Sequence, residues 1–398
     1  MRTPSKELLI AFLVFEFFNL VLHYRSRNTL IKLEASTEIL ATIPALIRAK
    51  RSDSEINSGQ TGQKQTLKKF CKRTTPLFEE IINLNLDPLP QSTITDDEIA
   101  NICTGTDTEK CVQPFKRIES DFQYFWGMKS AKTILCTIPK NLSTFLTAVM
   151  CLLNDELSFF YEGKKLFGDF YGLSCSKQRL QSMEEAISVY NSTVENDWTY
   201  LSVVRDPVDR FLSGFLFSCV KLKWKALNKM GHSYFRGVDF ERNCTRYCFG
   251  CGANLTCFME RQYMEFMKLS RGEKTRVDFL EHHQYPQSWR CDLDSQMHNY
   301  KLLRYEQDSR KMMRQLIAFL ESRNVSSRAL DFIQRSGEEE RTHHATVNSK
   351  VRPFFEKRLR DSPYLMEMLV RMYYYDFKLF NFDIAPIKRT QLSKVLKH

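Results

Sequence analysis

The sequence has no long basic block, no zinc-finger spacing and no RNA-binding signature, although its net charge is +11 over 398 residues. Lysine and arginine are spread along the chain, so the charge asks for an anionic partner without pointing to nucleic acid. A membrane surface, a polyanionic glycan or a phosphorylated cofactor would answer it, and no nucleic-acid partner is expected. There is no Gly-x-x-x-x-Gly-Lys-Ser/Thr run, which removes the main support for an ATPase or kinase. The metal-binding carboxylate motif that a kinase would need is missing too. The N-terminal apolar segment, Leu8 to Leu22, is shorter than the ~20 residues that span a bilayer comfortably and contains Glu16 and Asn19.

What is present describes a folded protein of the secretory route. The hydrophobic fraction is 43% and the charged fraction 26%, close to ordinary globular values. The apolar segment extends through Tyr24 if its flanking side chains reach back to the interface. No small-x-small cleavage site follows, so 8–24 reads as a signal anchor after a short cytoplasmic tail, 1–7; a cleaved signal peptide is the competing reading. The chain has twelve cysteines. It also has sequons at Asn191, Asn243, Asn254 and Asn324, which favour the lumen. A fifth, at Asn141, falls in the loop described next and is expected to be unmodified. Residues 25–125 read as a stem, with a polar linker from Ser52 to Gln65 and a small disulfide loop from Cys103 to Cys111. The pattern becomes dense over 126–385, and 386–398 is a basic tail.

Two stretches carry the chemistry. Thr133 to Ile138 reads as a buried strand, ended by Pro139. Phe145, Leu146, Val149, Leu152 and Leu153 then follow the spacing of one helix face. Ser143 or Thr144 is the expected N-cap. Free N–H groups at that helix start, beside Lys140, would suit a phosphate or sulfate; an ordinary β–α unit with a surface lysine has the same pattern. The second stretch runs from Thr199 to Phe215. Tyr200 to Val204 reads as a strand, Asp206-Pro207 as a helix start, and Val208, Phe211, Leu212 and Phe215 as its apolar face. Arg205, at the strand end, suits an anion or pairs with Asp206 or Asp209.

Taken together, Ile138-Pro-Lys-Asn-Leu-Ser-Thr144 and Val204-Arg-Asp-Pro-Val-Asp-Arg-Phe-Leu-Ser213 resemble the two cofactor-binding motifs of the Golgi carbohydrate sulfotransferases. The branch most resembled holds the chondroitin 4-O-sulfotransferases and the HNK-1 sulfotransferase, particularly its nematode members. His283-Gln-Tyr-Pro-Gln287 with Cys291, and Tyr374-Tyr-Asp-Phe-Lys-Leu-Phe-Asn-Phe382, are similar to two further family segments. The resemblance implies an α/β fold with a P-loop-like parallel sheet flanked by helices. It implies 3′-phosphoadenosine 5′-phosphosulfate as co-substrate, a chondroitin-type glycosaminoglycan as acceptor, no metal, and a single-pass type II Golgi membrane protein. Lys140, Asn141, Ser143 and Thr144 would hold the phosphosulfate, and Arg205 and Ser213 the 3′-phosphate.

The general base is left to His283 first and His282 second, with a structural or substrate-contacting histidine as the equal alternative. Cys244, Cys248, Cys251 and Cys257 have a spacing that could bind zinc, but disulfides are the better reading in a lumenal protein. Cys136 and Cys151 are expected to be buried thiols. A non-catalytic lumenal glycan-binding protein with the same fold is the alternative to an enzyme.

Overall fold

The computed structural model describes residues 78–384. Outside the described residues lie 1–77, 91, 93–97, 100–101, 115–123, 168–174, 176–178, 222–247, 278, 307–308, 340–348 and 385–398. The expected anchor at 8–24, most of the stem, Cys244, the sequon at Asn243 and the basic tail fall in these segments. Among the described residues no helix is long and apolar enough to cross a membrane.

Four strands form one sheet in the order β1 (Phe125–Met128), β2 (Thr133–Cys136), β3 (Thr199–Arg205) and β4 (Tyr300–Tyr305). β2, β3 and β4 are parallel, while β1 is antiparallel to β2. The sheet is therefore mixed, not parallel throughout. The β1–β2 connection is too short for a crossover, so the chain can only fold back as a hairpin. β3 shows why the strands read as nearly continuous apolar runs. Tyr200 and Val204 enter one core, and Leu201 and Val203 the other. Side chains alternate across a strand, and both faces of this one are covered.

One face carries α2 (Met183–Tyr190), α3 (Pro207–Phe215), α4 (Leu255–Ser270), α5 (Phe279–Gln284), α8 (Arg352–Arg360) and α9 (Pro363–Leu379). The other carries α1 (Ser143–Asn154), α6 (Ser309–Ser322) and α7 (Ser327–Glu339). α1 buries the predicted Phe145, Leu146, Val149, Leu152 and Leu153, together with every residue between them. α3 begins as its sequence predicts: Pro207 is in the first turn, and the Asp206 carboxylate accepts from the Asp209 N–H at 2.9 Å. All nine of its residues are buried, including Arg210 and Ser213, so the helix has no solvent face. It runs on into a π-helical turn, Leu216–Lys221.

Part of what reads as stem belongs to the core. Ile81, Ile99, Ile102 and Val112 pack in the same cluster as α3 and α9. Asn85 ties this segment to the start of α4, donating to the Ala253 carbonyl at 2.9 Å and accepting from the Leu255 N–H at 2.8 Å.

Among the described residues, disulfides join Cys103–Cys111, Cys136–Cys291, Cys151–Cys175, Cys219–Cys248 and Cys251–Cys257. The small Cys103–Cys111 loop agrees with the sequence reading, and Cys248, Cys251 and Cys257 form disulfides and not a zinc site. Cys136 and Cys151 are not thiols. Folding brings each within bridging reach of a distant partner, with Cα separations of 5.9 and 5.4 Å. Sequence separations of 155 and 24 residues conceal both pairs.

Candidate active site at the strand ends

The parallel strands β2 and β3 end at the same edge of the sheet, where open α/β sheets bind ligands. The loop after β2 and the head of α3 meet there. Lys140 and Leu142 both take left-handed backbone conformations, with φ 71° and 59°. Such residues cost about 1–3 kcal/mol each and persist only where their surroundings hold them. Here each preceding loop residue is held. Arg210 Nε donates to the Pro139 carbonyl at 3.3 Å, and Arg205 Nη1 to the Lys140 carbonyl at 3.0 Å. Asn141 Nδ2 donates to the Val203 carbonyl at 2.7 Å and to Gln287 Oε1 at 2.6 Å.

This loop sets up the start of α1. The N-cap is Leu142, not Ser143 or Thr144, because its left-handed backbone makes the turn and Ser143 is already helical. The apolar Leu142 side chain makes no capping hydrogen bond. The first-turn N–H groups of α1 lack intrahelical acceptors and sit at the positive end of the helix dipole. Ser143 and Thr144 are half-buried in this first turn, and Lys140 is half-buried beside it. The Lys140 ammonium lies over the Phe217 ring, 3.2 Å from its centroid. Phe217 belongs to the π-helical turn after α3.

Arg205 leaves the end of β3 with its guanidinium over the Tyr305 ring, 4.9 Å from the centroid. It pairs with neither neighbouring aspartate. Asp206 caps α3, and Asp209 forms its ion pair with Arg352 at 2.7 Å. Burial pulls the Arg205 pKa down, and the nearby Arg352 charge acts in the same direction. The charge of a bound anion would oppose this lowering. Arg210 is fully enclosed; burial pushes its pKa down to about 10, against the pull of Tyr373 and Asp376. Among the described residues its Nη2 has no hydrogen-bond partner, and neither has Asn141 Oδ1. Ser213, one turn beyond Arg210, is buried.

The two histidines differ. His282 is buried, its Nδ1 is 3.1 Å from Arg290 Nη2, and its carbonyl accepts from the same guanidinium at 2.6 Å. It is built into the core. His283 is half-buried, and its ring lies 6.2 Å from that of Phe217, the ring under Lys140. The structure thus gathers Lys140, Ser143, Thr144, Arg205 and His283 around one edge of the sheet. It turns Asn141 and His282 inward.

Sequence reasoning gave no role to Gln287, Asp376, Phe217 or Arg352. Gln287 and Asp376 lie in quoted segments, where their residue types could have drawn attention; Phe217 and Arg352 carry no such signal. Asn141 is fully enclosed with its amide nitrogen engaged, so a glycan there is incompatible with this fold. Among the described residues no group of three or more His, Cys, Asp or Glu is placed to hold a metal ion. The uncapped helix start, Lys140 and the buried guanidinium groups fit an anionic nucleotide.

Comparison with known proteins agrees with this chemistry. No solved structure matches the chain. Uncharacterized protein C18B2.2 of Caenorhabditis elegans is 27% identical over 355 residues, covering 87% of this chain and 93% of that one. Carbohydrate sulfotransferase chst-1 of the same organism is 26% identical over 257 residues, covering 64% of this chain and 73% of that one. The family model described as Sulfotransferase family matches residues 123–383, which include both candidate stretches and the histidine pair, and the chain belongs to that family.

Proposed function

We propose that this sulfotransferase moves a sulfuryl group from 3′-phosphoadenosine 5′-phosphosulfate to a hydroxyl of a glycan, a chondroitin-type glycosaminoglycan in the first instance. The observation that carries this reading is the 3.0 Å hydrogen bond from Arg205 Nη1 to the Lys140 carbonyl. It joins an uncapped helix start to the head of α3, making two cationic ends of one site. A nucleotide with a phosphosulfate at one end and a phosphate at the other suits such a pair. The name of the chst-1 relative supports a carbohydrate acceptor.

The donor supplies an activated sulfuryl group on a good leaving group. The chain supplies charge and position. Lys140 and the N–H groups of α1 face the phosphate end, where negative charge grows as the sulfur–oxygen bond breaks, and they stabilise the transition state more than the ground state. Ser143 and Thr144 add hydroxyl donors. Arg205 and Ser213 hold the remote 3′-phosphate and so orient the reacting end. His283 accepts the acceptor hydroxyl proton at a ring nitrogen as the new sulfur–oxygen bond forms. His282, bound to Arg290, supports the helix end that presents His283.

The 8–24 segment would anchor the protein in the Golgi membrane with the folded part in the lumen. The alternative remains a lumenal glycan-binding protein without catalysis. Retention on immobilised 3′,5′-adenosine bisphosphate separates the two, because a pure glycan binder passes through. Radiolabelled donor offered with a panel of desulfated glycosaminoglycans then tests the acceptor. Label transfer to none of them would overturn the chondroitin-type assignment.

A further inference from the structure

Gln287 follows α5 in a short helical turn, and its side chain is fully enclosed. Its amide makes bonds in three directions. Oε1 accepts from Asn141 Nδ2 at 2.6 Å and from the Arg205 N–H at 2.9 Å. Nε2 donates to the Arg205 carbonyl at 2.8 Å. The amide therefore pairs with both backbone groups of Arg205, much as a neighbouring strand would, while also holding Asn141. Asp376 of α9 fixes Gln287 from behind, accepting from the Gln287 N–H at 2.7 Å and the Ser288 N–H at 2.8 Å.

The two stretches that bind the two ends of the proposed donor are thus joined through one side chain. Asn141 sits between the left-handed residues Lys140 and Leu142, so its position fixes the direction of Lys140 and the start of α1. Arg205 carries the guanidinium of the other end. We propose that Gln287 is a positioning residue of the donor site: it sets the separation and orientation of the Lys140 loop relative to Arg205 without touching the donor. This rests on the donor-site reading above. A glutamine suits the role because it must accept twice and donate from one planar group. Methionine keeps the volume and loses every bond. Glutamate keeps both acceptor bonds, loses the donation to Arg205, and brings a carboxylate towards Asp376.

The test is calorimetric titration of the full chain with 3′,5′-adenosine bisphosphate, for wild type, Gln287→Met and Gln287→Glu. Donor KM and kcat are measured alongside, and near-UV circular dichroism reports folding. The expected result is bisphosphate binding by the wild type, weakened about tenfold or more in Gln287→Met and by less in Gln287→Glu. Donor KM should rise in the same order, with kcat at saturating donor changing far less. A purely structural glutamine would lower thermal stability and leave the affinity of folded molecules unchanged. A wild type that does not bind overturns the donor-site reading and this inference together. A folded Gln287→Met that binds like wild type overturns this inference alone. If neither variant folds, Gln287 belongs to the core and the positioning role falls.

Discussion

Lys140 holds a left-handed backbone position, at φ 71°, that glycine would adopt more easily. A glycine-free anion loop is possible here because Arg210, Arg205 and the Asn141 side chain secure the three residues from Pro139 to Asn141. The lysine side chain itself lies on the Phe217 ring. Lys140→Ala should lower sulfuryl transfer by about 10²–10³-fold, the scale expected for one preorganised charge donor. Near-normal turnover in a folded Lys140→Ala enzyme would remove the lysine from the chemistry. The His283 ring lies 6.2 Å from the Phe217 ring, and His283 is half-buried. His283→Ala should reduce kcat by about 10²-fold or more and leave bisphosphate affinity within about twofold. A parallel loss of bisphosphate binding would instead make His283 part of the donor cradle.

At the scale of elements, α3 and α5 are interlocked through Gly214. A Cβ there would stand 2.5 Å from both amide atoms of Gln284, which is fully enclosed. The Gln284 carbonyl is also pinned, accepting from Tyr373 Oη at 2.7 Å and Arg210 Nη1 at 3.2 Å. Alanine ordinarily stabilises a helix relative to glycine, but here overpacking outweighs that gain. Gly214→Ala should cost about 1–3 kcal/mol and appear as a lower melting temperature; a stabilised variant would show that α5 can give way. α9 is tied to the Cys103–Cys111 loop by Arg371, which donates to the Asp107 carboxylate at 2.7 and 3.3 Å. Those bonds hold the Asp107 carboxyl well below the usual carboxylate range. A depressed folded value stabilises above the unfolded pKa of about 3.9, and this contribution is lost as pH falls through the lower folded value. Asp107→Asn should be less stable than wild type at pH 7, with the difference narrowing at pH 3 in denaturant titrations. A constant difference would assign the cost to something other than ionisation. The elements themselves were legible because their signals are local. The β2 and β3 runs, the Asp206-Pro207 start and the α1 periodicity each lie within a few turns of chain. The Leu142 cap was hidden because serine and threonine are the better cappers by residue type, and the left-handed leucine is held by distant groups: its own packing against the core and the bonds of Asn141, Arg205 and Arg210 along the loop.

At the scale of the whole molecule, the parts of the site come from segments far apart in sequence. Asn141 and Gln287 are separated by 146 residues, and Gln287 and Asp376 by 89. No periodicity or short motif encodes such pairs, which is why the two candidate anion-binding stretches can be picked out in the sequence but not the groups that hold them together. The same holds for Cys136 and Cys291. Cys136 ends β2, four positions before Lys140, and Cys291 lies four positions after Gln287. The bridge therefore fastens the strand that leads into the anion loop to the segment whose glutamine holds that loop. Cross-linking across a 155-residue separation is worth about 5 kcal/mol in the chain-entropy account. The double variant Cys136→Ala/Cys291→Ala should lose stability on that scale. It should also bind 3′,5′-adenosine bisphosphate more weakly even where it is folded, because Gln287 and Asn141 lose a covalent tie that limits their relative motion. Non-reducing peptide mapping of the wild type should recover the two cysteines in one linked fragment. Separate fragments would show that the hydrogen bonds of Gln287 and Asp376 hold this edge of the sheet without the disulfide.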